Sequence, residues 1–393
     1  MSNDPVVIVA ARRTPIGAFQ GSLAGLSAPQ LSSAACKAAL TDSGLEGADV
    51  SEVLLGCVLP AGLGQAPARQ AALGADIPRA VPCTTVNKVC GSGMKTTLLG
   101  HDLILAGSAQ VVLTGGMESM TNAPYLMPKA RAGYRMGHQE VLDHMFFDGL
   151  QSPWDGQMMG YFAEETARKY GFSREQQDEF AITSVTRARE AAESGRFDSE
   201  IVPVTVRSRK GDSVVTADDG PTVASVEKIP TLRPAFAKDG TVTAASSSSI
   251  SDGAASLILM RASDARERGI EPLASIAGHS GFAHEPEWFT TAPVFAIRTL
   301  HEKLGWDTAT VDLYEINEAF ACVTMAAMSD LGIDHGKVNV NGGACALGHP
   351  IGASGARIIV TLLHALRNRG GGKGIASLCI GGGEAVAIAI EVD

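Results

Sequence analysis

Charge is scarce in this chain: Asp, Glu, Lys and Arg make up 19% of its 393 residues, and aromatic residues only 5%. With apolar residues at 45%, that scarcity excludes a disordered chain and fits sheets buried on both faces. Acidic residues outnumber basic ones, 42 against 32. The resulting net charge of −10 argues against nucleic acid as the main partner, and it leaves any anionic substrate to a local basic patch. No uncharged apolar run approaches the roughly 18 residues of a membrane-spanning helix. Met1-Ser2-Asn3-Asp4 lacks the positive and then apolar pattern of a signal peptide, and Glu391-Val392-Asp393 is not a peroxisomal address. The cysteines number seven, with no C-x-x-C pair, which indicates reduced thiols in a cytoplasmic protein and not a disulfide framework or zinc site. Gly62-Leu63-Gly64-Gln65-Ala66-Pro67 misses the dinucleotide fingerprint, because Pro67 stands where a third small residue belongs and no acidic residue follows at the required distance.

What the chain has is glycine, 44 residues of it, and a length sufficient for two or three domains. Strands are expected at Val6–Ala10, Glu52–Val58 and Gln110–Thr114, alternating with helical stretches at Ala28–Ser43, at Pro67–Gly74 and from the Cys90 turn to about Ala106. Such alternation predicts a parallel sheet with helices on its faces. From Gly115 to about Ser249 the composition turns to Met, Pro, Tyr and Arg around one charged helix, Ala163–Ser194, which reads as an insertion. Apolar strands return at Ala254–Met260, Ser275–Gly281, Val311–Ile316, Ile375–Leu378 and Val386–Ile390.

Chemistry concentrates in four places. Cys90 sits in the turn Asn87-Lys88-Val89-Cys90-Gly91-Ser92-Gly93, ahead of a helix whose Met94, Leu98 and Leu105 share a face. Glycines there permit a sharp corner, and a helix N-terminus favours a thiolate and can hold an oxyanion. The turn by itself leaves open whether Cys90 is a nucleophile or a small buried apolar residue. Asn317 precedes helix Ala319–Leu331 and on spacing alone reads as a structural N-cap. His349 stands at the start of another helix among Gly342, Gly343, Gly348 and Gly352, a setting with room for a ligand. Cys379, at a strand end before Gly381-Gly382-Gly383, repeats the arrangement at Cys90.

Five stretches, in this order, resemble the thiolases of the acetyl-CoA acetyltransferase type: Val7-Ile8-Val9 through Arg13-Thr14-Pro15-Ile16-Gly17; Val86-Asn87-Lys88-Val89-Cys90-Gly91-Ser92-Gly93; Asn317-Glu318-Ala319-Phe320; Asn341-Gly342-Gly343 through Gly348-His349-Pro350; and Cys379-Ile380-Gly381-Gly382-Gly383. The resemblance implies an α/β fold with a five-layer αβαβα core of two similar halves. Residues 1–118 and 250–271 would form the N-terminal half, 119–249 an inserted loop domain for CoA binding and oligomer contacts, and 272–393 the C-terminal half. A homotetramer (dimer of dimers) or a homodimer is implied, without cofactor or metal.

By the same resemblance, Cys90 takes an acyl group from acyl-CoA, with His349 as the base that activates it. Cys379 removes an α-proton from a second acetyl-CoA, Asn317 holds a water that with His349 stabilises the enolate, and the amides of Cys90 and Gly381 stabilise the tetrahedral intermediate. The product is acetoacetyl-CoA plus CoA, and the reverse is thiolysis. A Claisen condensation needs this inventory of covalent acceptor, separate base and oxyanion sites. Ser248 and Met159 are the expected CoA contacts, Lys228 is a candidate base for the phosphates that also reads as an ordinary solvated lysine, and Phe236, Phe289 and Phe320 are the expected border of a short acyl pocket. Three departures stand out. Met158-Met159-Gly160 replaces a His-Met-Gly stretch, Ala244-Ala245-Ser246 replaces Ala-Gly-Asn, and Asp218-Asp219-Gly220-Pro221-Thr222 lacks the arginine expected near the CoA phosphates. A broad-chain degradative thiolase is the alternative. A ketosynthase is disfavoured by Cys379, and a non-catalytic lipid carrier by the presence of Cys90, His349 and Cys379 together.

Overall fold

The computed structural model describes residues 4–209 and 211–393. Its principal strands are β1 (Val6–Arg13), β2 (Glu52–Gly56), β3 (Cys83–Val86), β4 (Val112–Ser119), β5 (Ser251–Arg261), β6 (Ala274–Ala283), β7 (Leu313–Ile316), β8 (Gly372–Ile380) and β9 (Glu384–Val392). The helices used below are α1 (Ala28–Ser43), α2 (Pro67–Gly74), α3 (Ser92–Leu105), α4 (Met159–Tyr170), α5 (Arg174–Glu193), α6 (Ala292–Leu304), α7 (Ala321–Leu331) and α8 (Ile351–Arg367).

The strands run in the order β7-β8-β9-β6-β1-β5-β4-β2-β3. In the first half β1 pairs β5 and β5 pairs β4 antiparallel, and then β4, β2 and β3 continue in parallel. The second half repeats this: β6 with β9 and β9 with β8 antiparallel, then β8 with β7 parallel. Even the irregularity recurs, a register shift between Ile8 and Ala10 in β1 and between Ile276 and Gly278 in β6. Among the described residues, two residue pairs, Val7↔Ser275 and Ile8↔Ala274, join the two half-sheets, extended by the Leu273 N–H donating to the Ile8 carbonyl at 2.8 Å. The sheet is therefore mixed, not parallel as strand-helix alternation predicts. A three-glycine turn, with Gly382 and Gly383 at positive φ, sends β8 straight back as β9, and a tight reversal of that kind can only make an antiparallel pair.

Side-chain alternation along these strands builds the layers. Val6 and Ile8 pack toward α3 and α8, whereas Val7 and Val9 pack with α1 and α2. In β9, Val386, Ile388, Ile390 and Val392 face the same central helices, and Ala385, Ala387 and Ala389 face α6 and α7. The result is five layers, α1/α2, half-sheet, α3/α8, half-sheet, α6/α7. Helix α8 is buried from Ile351 to Leu366, as a helix covered by a sheet on each side must be. Met94 and Leu98 of α3 are buried, but Leu105 is 44% exposed because the helix ends there.

Between β4 and β5 the chain forms α4, α5, short irregular turns and two small strand pairs, Tyr125–Leu126 with Leu142–Asp143 and Val204–Val206 with Ser213–Val215. The charged helix expected over Ala163–Ser194 is two helices. Gly171 at φ 69 closes α4, and Ser173 opens α5 by accepting the Gln176 N–H while its own N–H reaches the Gln176 side chain.

Candidate active site

The turn that carries Cys90 is held from within. Asn87 Oδ1 accepts the Val89 N–H at 2.9 Å, and Ser92 Oγ accepts the Lys88 N–H at 2.8 Å while donating to the Val89 carbonyl at 2.7 Å. These bonds force Val89, a β-branched residue, to φ 46, where such residues carry about 1–3 kcal/mol of strain. The sharp corner thus falls on Val89 and not on the glycines. Gly91 has an ordinary φ of −79 and is required for space, since a Cβ there would lie 2.4 Å from Ile380 Cδ1. Lys88 also pairs with Glu384, fastening this turn to the loop after Cys379.

Cys90 itself is half-buried, with the backbone amides of Gly381 and of Cys90 directed at its sulfur. Burial pushes the thiol up to about 11, against the pull of those amides. The expected resting thiolate is therefore overruled: the helix end lies too close to the protein interior for its dipole to outweigh desolvation. A base is needed, and His349 has the form of one. It is buried, and burial, reinforced by the charge of Arg357, holds its pKa down to about 3, so the ring is neutral. Nδ1 lies 2.5 Å from Ser354 Oγ, which donates its single proton to the Pro350 carbonyl at 2.9 Å. Ser354 must then accept from Nδ1–H, which leaves the Nε2 lone pair free, and Nε2 is buried without a protein partner.

Cys379 closes β8, fully buried, its thiol pushed well up by desolvation and further by the neighbouring Cys90. It does not repeat Cys90 in the fold. Cys90 precedes central helix α3 as His349 precedes α8, whereas Cys379 ends the strand that corresponds to β4. Asn317 is no helix cap, because Phe320 is the N-cap of α7; both polar atoms of the buried Asn317 side chain lack a protein partner and are free to bind.

Two cavities meet at Met159. One runs past Ser248, Phe236 and Phe320 to His349, and the other from Val89 and Gly381 past Phe162 to Trp154. Phe236 and Phe320 touch edge to face at 5.9 Å, and Gly160 is needed beneath them, since a Cβ there would strike the Phe236 ring at 2.3 Å. Phe289 borders neither of these cavities. It is buried behind the wall, 6.2 Å from Phe162 in the cluster that contains Cys379. Lys228 is exposed on a 3-10 turn, Val226–Thr231, and lines neither cavity.

A family model described as the N-terminal domain of thiolase matches residues 6–263, and one described as the C-terminal domain of thiolase matches residues 270–392. The chain belongs to the thiolase family. This thiolase is 50% identical over 390 residues to an acetyl-CoA acetyltransferase of Pseudomonas aeruginosa, with 99% of each chain covered. It is 48% identical over 388 residues to one of Cupriavidus necator, covering 98% of this chain and 99% of that one. A crystal structure of a thiolase from Ascaris suum in complex with coenzyme A superposes with a TM-score of 0.94 at 42% identity, over 99% of this chain and 100% of that one.

The structure of this thiolase also brings in residues that sequence reasoning missed. Ser354 carried no signal, because its contact with His349 depends on the turn at Pro350. Glu118, buried at the end of β4, accepts the N–H of Val58 at 3.0 Å, of Leu59 at 3.1 Å and of Gly352 at 2.9 Å. It anchors the helix that follows His349, and burial raises its pKa to about 7 despite those donors.

Proposed function

We propose that this thiolase is an acetyl-CoA acetyltransferase, which condenses two acetyl-CoA into acetoacetyl-CoA and CoA and runs the reverse thiolysis. The observation that carries this reading is the pair of neighbouring thiols: Cys90 raises the pKa of Cys379, and the Gly381 amide, two residues beyond Cys379, is directed at the Cys90 sulfur, while a neutral His349 offers a free Nε2 at the end of the cavity. As Cys90 attacks the acetyl carbonyl, its proton passes to His349 Nε2. The oxyanion takes up the Cys90 and Gly381 amides. The departing CoA sulfur takes its proton from Cys379, which leaves a thiolate beside an imidazolium. That thiolate removes an α-proton from the second acetyl-CoA, while the imidazolium and a water on Asn317 hold the enolate oxygen. The carbanion attacks the acetyl-Cys90 carbonyl, and the released Cys90 thiolate regains its proton from His349, so the proton inventory closes. Ser248, Met159, Phe236 and Phe320 would receive the pantetheine arm and the acyl group in the cavity that ends at His349.

Mass spectrometry and solvent exchange test the division of labour. Cys90→Ala should form no acyl-enzyme, whereas Cys379→Ala should still be acylated but fail to exchange the α-protons of acetyl-CoA with deuterium. An acyl group found on Cys379 of the unmutated enzyme would sink the assignment.

One observation favours a second reading, a thiolase of broader chain length: a second cavity runs from Val89 and Gly381 toward Trp154, which is 65% exposed. Thiolysis rates across 3-ketoacyl-CoA chain lengths separate the two. In the same reading residues 119–249 form an inserted domain, the enzyme is a homodimer or homotetramer, and its compartment is the cytoplasm. Supporting these are the edge strand β3, paired on one side only, and cysteines that are all free.

A further inference from the structure

Away from the thiols, His101 and Asp102 near the end of α3 meet His279 of β6. Asp102 Oδ1 lies 3.1 Å from His101 Nδ1 and 2.8 Å from His279 Nε2. All three atoms fall within 4.8 Å of one another, and the two rings stand edge to face with centroids 5.1 Å apart. The condensation uses none of these residues. His279 is 177 positions from Asp102, so no ligand spacing is visible in the sequence.

We propose that His101, Asp102 and His279 form a binding site for one divalent transition-metal ion of the zinc type. Tetrahedral zinc with bonds of about 2.0–2.1 Å places its ligand atoms about 3.3 Å apart, so both edges that meet at Asp102 are already within about 0.6 Å of the bound geometry. The third edge, within 4.8 Å, would close by a small rotation of the half-buried His279 ring. Two imidazole nitrogens and one carboxylate oxygen suit zinc, cobalt(II) or nickel(II) and not calcium or magnesium, which take oxygen ligands. Asp102 is exposed, which leaves the fourth position to water, while the burial of His101 fixes one ligand in place. Lys303 is the nearby cation: its Nζ donates to the His279 carbonyl at 3.2 Å, and its charge lowers the affinity without occupying a ligand position. The bland alternative is a carboxylate that merely accepts a hydrogen bond from each ring. What distinguishes the ion is its consequence for the fold: it would tie the central helix of the first half to the opening strand of the second, where the half-sheets share two paired positions among the described residues.

Zinc chloride titrated calorimetrically into the EDTA-stripped, full-length enzyme should bind one equivalent that is lost in Asp102→Asn and in His279→Gln, both of similar shape to the native side chains. Cobalt(II) should report the same site by its visible d–d bands without the near-ultraviolet thiolate band that binding at Cys90 or Cys379 would show. Zinc should also raise the thermal midpoint of the unmutated protein, reversibly with EDTA, and leave that of Asp102→Asn unmoved. Thiolysis measured without metal should be the same in all three proteins. Equal zinc stoichiometry in the variants, a cobalt spectrum dominated by thiolate, or no binding up to about 1 mM zinc each overturns the site.

Discussion

One hydroxyl decides which nitrogen of His349 is free. Ser354 fixes its tautomer, because the serine proton is committed to Pro350 and the ring must donate through Nδ1. Ser354→Ala should lower kcat by roughly 10- to 100-fold with little change in KM for acetyl-CoA, the loss of one hydrogen bond that becomes charge-assisted in the transition state. Ser354→Thr should restore much of it; a purely structural role would move stability and KM instead. The resting pair is neutral, with Cys90 pushed up to about 11 and His349 held to about 3. Inactivation by iodoacetamide should therefore accelerate steadily from pH 6 to 10 without a plateau near neutrality, and such a plateau would reveal a standing ion pair. The stability linkage has a definite sign. Below the ordinary histidine value of 6.5 the unfolded chain takes up a proton that native His349 refuses, so its contribution is full above that pH and is lost as the pH falls toward about 3.

Helices α3 and α8 follow the Cys90 and His349 turns, and their approach is set by missing side chains. A Cβ on Gly93 of α3 would lie 2.8 Å from the Ala356 nitrogen of α8, and one on Gly355 would lie 2.4 Å from the Met94 nitrogen. Backbone cannot yield as a side chain can. Gly93→Ala should cost about 1–3 kcal/mol by forcing the helices apart. It should also depress turnover, because α3 and α8 begin just after Cys90 and His349; urea denaturation beside a thiolysis assay checks both. Unchanged stability would mean that the central layer has slack. Helices α1 and α2 were legible to the residue, since capping and apolar spacing are local. The break at Gly171 was also written locally, as a glycine two residues before a serine that caps the next helix, but charged residues running on both sides concealed it.

Across the whole molecule the question is where negative charge goes. Asp218 and Asp219, in the tract where the family resemblance leads one to expect an arginine for the CoA phosphates, are turned inward. Asp218 accepts from the two terminal Arg13 guanidinium nitrogens, at 2.7 and 2.9 Å, and Asp219 Oδ2 accepts the N–H groups of Ala18 and Ser22, each at 3.0 Å. Their repulsion for a phosphate is spent internally, and Lys228 nearby remains an exposed side chain. Recognition should then rest on the pantetheine arm. Dephospho-CoA thioesters should react with KM values close to those of CoA thioesters, with weak dependence on ionic strength. A KM raised more than about tenfold, equivalent to about 1.4 kcal/mol, would show a basic site for the 3′-phosphate.

Sequence by itself determined the inventory and most of the elements: two thiols, a histidine and an asparagine, each beside glycines or a helix start, and apolar strands whose alternation sorts them between layers. These are local properties, carried by periodicity, capping and turn chemistry within a few residues. Only the tertiary structure decided the state of those groups. Burial, which depends on the half-sheets closing over α3 and α8, sets Cys90 as a thiol and His349 as a neutral ring. The sense of the sheet pairs, the strain at Val89, the equivalence of Cys90 with His349 rather than with Cys379, and the inward turn of Asp218 onto Arg13 across 205 residues all rest on contacts between distant segments. No local pattern records such contacts, because their free energy exists only once the layers are packed.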